Sequence, residues 1–252
     1  MMDNSGEQQR SHEDVVRRTE QLAKEAEQRL PAWLRPGNPE SRWPVLAALI
    51  TAIVMQRAIP ERYTVVPRWP LVAMEALLVV VLLVTNPNRL TRPTKVGKAA
   101  SLLLLAAITI DNTASAIVLD YHILTGKVSN DPAVLLGSGA AVFITNIIVF
   151  GIWYWEIDLG GPFARAGVKE RDPKRVYPDF MFPQMDDRRL APPDWEPRFF
   201  DYLYVSLTNV MAFSPTDTMP LTHRAKAMMT VQALVAVSTI ALVFARAVNV
   251  LS

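Results

Sequence analysis

Long apolar blocks, separated by segments that hold nearly all of the charge, most constrain how this chain can fold. Four follow one another: Trp43 to about Ile59 (WPVLAALITAIVMQRAI), Pro67 to Thr85, Ala99 to Leu119, and Val134 to Trp155. A fifth runs from about Arg224 to Leu251. At a rise of ~1.5 Å per residue, about twenty residues cross a ~30 Å hydrocarbon core. The first block is short, and Arg57 near its end can extend its head to the interface. The fourth ends in Trp153, Tyr154 and Trp155, aromatics suited to the headgroup layer. Such patterning predicts an all-α, multi-pass helical membrane protein of about five spans.

Four regions follow. Residues 1–42 are polar, and Ser11 with Asp14 resembles a capping box for an amphipathic helix to about Leu30. That helix is expected to lie against the membrane or the bundle, or to form a short coiled coil. Residues 43–155 form a four-span bundle. Residues 156–198 are charged and contain seven prolines, which argues against regular structure and for an extended, surface-hugging loop. Residues 199–252 form a hairpin and the last span. The first forty residues lack an apolar h-region, so no cleavable signal peptide is expected.

Lys and Arg concentrate before the first span, in the connection from Arg89 to Lys98 and in the proline-rich loop. Only Arg57, Arg62 and Arg68, with Lys127, mark the other two connections. The positive-inside rule therefore places the N-terminus in the cytoplasm of a bacterial plasma membrane. A net charge of +2, spread over connections, gives no footprint for nucleic acid.

The hairpin reads FDYLYVSLTNVMAFSPTDTMPLT, Phe200 to Thr222. It resembles the pore-loop and inner-helix half of the potassium-channel superfamily, where L-T-T-V-G-Y-G-D-x-x-P-x-T leads into an apolar helix. Leu207, Thr208, Asn209 and Val210 match the start, and Asp217, Pro220 and Thr222 match the end. It is still more similar to a family of uncharacterised bacterial multi-pass membrane proteins, a domain of unknown function, with W-D-F-L-Y-F-x-F-T-x-x-M-x-x-x-x-S-D-x-D at the same place. That resemblance implies a multi-span protein and no particular activity. The filter is degenerate: no glycine lies between Phe199 and Leu251, and a carbonyl-lined filter depends on glycine geometry. Any ion path here would use side chains, from Thr208, Asn209, Ser214, Thr216, Asp217 and Thr218 on several copies. The competing reading is that Asp217 and its hydroxyl neighbours cap a helix in a re-entrant hairpin. With a cytoplasmic N-terminus and four spans, the hairpin would start on the cytoplasmic side. It would then be a short further span or re-entrant from inside, unless the charge rule misleads.

Ionisable residues inside apolar spans are costly and point to function. Glu75 in the second block and Asp111 in the third stand at corresponding depths if those helices are antiparallel neighbours. With Asn112 and Asn146 as oxygen donors they form a candidate cation or proton site; interhelical hydrogen bonding is the alternative. His12, His122 and His223 lack metal-ligand spacing, cysteine is absent, and no cofactor or hydrolase motif occurs. No metal, cofactor or enzymatic activity is therefore expected. The sequence supports a channel-like or transport protein for small ions. Its partners would be the lipid bilayer and further copies of the chain, four if it is channel-like. The alternative is a non-conducting scaffold or regulatory subunit that uses the hairpin for helix packing.

Overall fold

The computed structural model describes residues 18, 34–35, 37–65, 68–85, 90, 94–129, 131–167, 177–211 and 217–251. The amphipathic N-terminal helix expected to about Leu30 lies outside them, apart from Arg18, which is helical. Each apolar block is a helix: α1 Trp43–Ala58, α2 Arg68–Thr85, α3 Lys95–Leu124, α4 Pro132–Ile157 and, after the proline-rich segment, a long C-terminal helix His223–Leu251.

Local chemistry sets several boundaries. The Thr94 hydroxyl accepts from Gly97 N at 3.0 Å and caps α3. Asp131 accepts from Ala133 N at 2.9 Å, with Pro132 supplying the fixed φ of a first helical residue for α4. Beyond α4 the chain reverses through Leu159, Gly160 and Gly161 at φ 52°, 85° and 93°. At Gly161 a Cβ would lie 2.9 Å from the Glu156 carbonyl, so only glycine fits.

The proline-rich segment departs from an extended loop. It folds into short helices α5 Pro162–Arg165 and α6 Pro183–Asp186, with strand β1 Phe180–Met181 between them. Proline opens each helix, where its missing N–H has no partner to lose. Helix α7 Phe199–Met211, strand β2 Met219–Pro220 and α8 His223–Leu251 complete the chain. β1 and β2 pair antiparallel, Phe180 opposite Pro220 and Met181 opposite Met219.

Helix α4 is central: α1, α3, α7 and α8 all pack on it, while α2 packs chiefly on α3. Close approach depends on glycine at two points. A Cβ on Gly151 would meet the Leu203 backbone of α7 at 3.0 Å, and one on Gly139 would meet Val243 of α8 at 2.9 Å. Most of the aromatic end of α4 lies inside the protein rather than on its surface. Tyr154 and Trp155 are buried, with Trp155 stacked edge-on against Phe199.

The outer faces are apolar. Leu77 and Val84 of α2, Leu103 and Ile110 of α3, and Leu234 and Val248 of α8 are each more than half exposed. Rows of exposed apolar side chains on α2, α3 and α8 are compatible with a surface that faces hydrocarbon. Three helices are long and apolar enough to cross a membrane: α3, α4 and α8. The other two, α1 and α2, are apolar but shorter.

Candidate functional site

One end of the bundle gathers the start of α1, the starts of α3 and α8, and the end of α4; there a buried ionic clasp holds the proline-rich segment. The Asp158 carboxylate, following α4, accepts from Asp179 N at 2.6 Å and from the Tyr202 hydroxyl at 2.6 Å. Arg165 donates to the carbonyls of Trp155 at 2.8 Å and Asp158 at 2.9 Å, and to Glu40 at 3.3 Å. Burial works against the Arg165 charge, but Tyr202, Glu40 and Asp158 hold the guanidinium above its ordinary value. Glu40 also accepts from Phe199 N at 3.3 Å and from the Trp155 indole at 3.0 Å, which brings the entrance of α1 to the start of α7.

That geometry fixes the path of the hairpin. Helix α7 starts beside Glu40 at the clasp, while β2, on the far side of residues 212–216, pairs with β1 at the same clasp. Helix α8 starts there too, with Arg224 bonded to Asp179 and to the Ile157 carbonyl at 2.9 Å. The chain therefore enters and leaves at one end. With 13 residues, α7 is ~20 Å long and reaches about halfway along the 29-residue α8.

A satisfied polar network locks α7 in place at that depth. Asn209 donates to Met229 O at 3.0 Å and to Gln232 Oε1 at 2.9 Å. Gln232 donates to the Ser206 hydroxyl at 2.7 Å and accepts from the Tyr154 hydroxyl at 2.6 Å. Ser206 in turn donates to Ile147 O of α4 at 2.6 Å. Gln232 is fully buried, so each of these bonds replaces one that water would have made.

Of the pore-loop candidates, Thr208 is half-buried and donates to Tyr204 O of its own helix at 3.0 Å. Asn209 is buried in the network just described, Thr218 is buried, and Asp217 is exposed. Ser214 and Thr216 lie outside the described residues. The cap of α8 comes from Thr222, whose hydroxyl accepts from Ala225 N at 3.3 Å.

The intramembrane candidates lie elsewhere. Glu75 of α2 is fully buried, and neither of its carboxylate oxygens has a hydrogen-bond partner. Asp111 of α3 acts on it electrostatically and accepts from the Gln56 amide of α1 at 2.9 Å. Asn112 and Asn146 are buried, with Asn112 Oδ1 and both amide atoms of Asn146 unpartnered; so are the hydroxyls of Ser115, Thr145 and Thr239. Glu75 and Asp111 are thus brought together, but not with the hairpin. One set draws on α1, α2 and α3, the other on α4, α7 and α8.

Sequence reasoning missed Gln56 and the clasp. Gln56 had a signal, as an amide three residues from the end of an apolar block. Asp158, Arg165, Asp179 and Glu40 had none, since charges in polar connections are normally solvated. Among the described residues, no group of three or more His, Cys, Asp or Glu could hold a metal ion. Comparison with protein-family models, curated proteins and solved structures finds no match for this chain.

Proposed function

We propose that this chain is an integral membrane protein of channel-like or transport type for small ions, its α7–α8 hairpin re-entrant from the cytoplasmic side. The observation that carries the reading is a half-length helix, packed against a long apolar one, with both starting at the same end of the bundle. Such a hairpin places the end of helix α7 at mid-membrane depth, where unpaired backbone groups are tolerated only inside protein or against water. Several copies about a common axis would supply that environment, with Asp217 lining the approach. The proline-rich end, beside the arginine-rich segments, faces the cytoplasm in this reading.

The test is reconstitution of the purified chain in liposomes with measurement of its oligomeric state. An oligomer that passes monovalent cations, with flux reduced by Asp217→Ala, supports the reading. A monomer that passes no ion under any imposed gradient overturns it.

A second reading, a non-conducting scaffold or regulatory subunit, is favoured by one specific observation. Thr208 and Asn209 spend their polar atoms inside the chain, as residues that fix helix packing do. Stable co-purification with a partner, together with absence of flux, would select it.

A further inference from the structure

The buried carboxylates occupy a different part of the molecule from the hairpin. Glu75 is completely enclosed between helices, and both of its oxygens lack a donor. From α3 it faces Asp111, a second negative charge. Asp111 itself accepts from the Gln56 amide of α1 at 2.9 Å. The remaining titratable group of α1, Arg57, is exposed, and α2 itself carries only Arg68, in its first turn. On α3 the other titratable groups are Lys95 and Lys98 at its start, with Asp120, Tyr121 and His122 in its last turns. Asp111 stands near the middle of this 30-residue helix, 111 − 95 = 16 residues from its first.

A carboxylate enclosed in an apolar interior, with no donor and with a like charge opposite, costs several kcal/mol unless positive charge accompanies it. We propose that Glu75 and Asp111 together form a binding site for a small monovalent cation, with Gln56 as the positioning residue that holds Asp111 toward it. The chemistry is oxygen coordination of one positive charge, which a proton or an alkali-metal ion can supply. The site stands apart from the hairpin reading: a chain that conducts nothing would keep it, and a conducting one could lose it.

The experiment is thermal unfolding of the full chain in lipid nanodiscs, because a cation bound only to the folded state raises the midpoint with its concentration. Sodium, potassium and N-methylglucamine chlorides are compared at one ionic strength, and pH is then varied in N-methylglucamine alone. If an alkali ion is the ligand, sodium or potassium raises the wild-type midpoint above N-methylglucamine. Glu75→Gln then weakens the effect by about a hundredfold or more in concentration, as loss of one partner from a buried charge pair implies. If the ligand is the proton, the salts are equivalent, and the wild-type midpoint rises more steeply with falling pH than that of Glu75→Gln, which keeps only the slope of the other carboxyl groups. Should Glu75→Gln not fold, Asp111→Asn replaces it with the same two expectations. A wild type indifferent to both cation and pH, or variants that respond as wild type does, would overturn the proposal. Ion flux is not read, so its presence or absence leaves this result intact.

Discussion

Arg224, in the first turn of α8, donates through Nε and Nη2 to the two carboxylate oxygens of Asp179, a fully buried residue of the proline-rich segment. Thr222 adds a third donor to the same carboxylate at 2.5 Å. The pair fastens the loop to the start of the last helix, and through β1 and β2 it fixes where the hairpin returns. Removing Arg224 leaves the enclosed Asp179 without its charge partner. Arg224→Ala is therefore expected to cost roughly 3–5 kcal/mol in unfolding free energy. Arg224→Lys recovers only part of this, because an ammonium cannot make the two parallel bonds. Denaturant unfolding in detergent checks both.

Tyr202 and Asp158 are joined by a 2.6 Å hydrogen bond inside the clasp. Tyr202→Phe keeps the ring and its contact with Phe180 while taking one donor from a buried carboxylate. Asp158 retains the backbone donors of Asp179 and Phe180. The expected loss is about 1–3 kcal/mol with an unchanged fold, measured by the same unfolding assay.

Gly151 lets α7 lie against α4 with its backbone in contact. A single added carbon already sits 3.0 Å from Leu203 Cα, so a branched side chain must push the helices apart. Gly151→Val is expected to destabilise by about 1–3 kcal/mol and to loosen the hairpin specifically. Faster hydrogen exchange in 199–211, with little change in α2 and α3, would show it.

Glu196 contributes a pH dependence of its own at the proline-rich end. Burial raises its carboxyl above the ordinary glutamate range, against the pull of Arg198. The folded state thus binds this proton more tightly than the unfolded chain does. Stability from this group falls as pH rises from the ordinary glutamate value through the raised one, and is level above it. Glu196→Gln should remove that part of the pH slope in unfolding measurements.

How much was legible follows from what each residue had to do. The five apolar helices were legible because the chain writes each of them as a block of apolar residues, although only α3, α4 and α8 are long enough to cross a membrane. Glu75 and Asp111 stood out because a charge in such a block has few bland explanations. The return of the hairpin to the end of the bundle where it starts was less legible. Helix α7 is too short to read as a span, and its direction depends on where β2 pairs, a contact made with Phe180 and Met181 some forty residues earlier. The burial of Tyr154 and Trp155 was hidden for a related reason. An aromatic run suits the headgroup layer equally well until a folded loop covers it. Nothing in the sequence distinguishes Asp179 from the neighbouring solvated acids; only its distance from Arg224 in the folded chain does.

The absence of cysteine allows the hairpin's path to be measured directly with single-cysteine variants and a membrane-impermeant thiol reagent. Asp194→Cys marks the proline-rich end, Lys127→Cys the opposite end, and Met219→Cys the return of the hairpin, all at exposed positions. In intact cells and in inverted vesicles, a re-entrant hairpin requires Met219→Cys to react from the same side as Asp194→Cys and from the side opposite Lys127→Cys. Reaction of Met219→Cys from the side of Lys127→Cys would mean that α7 crosses the membrane, and would contradict the account.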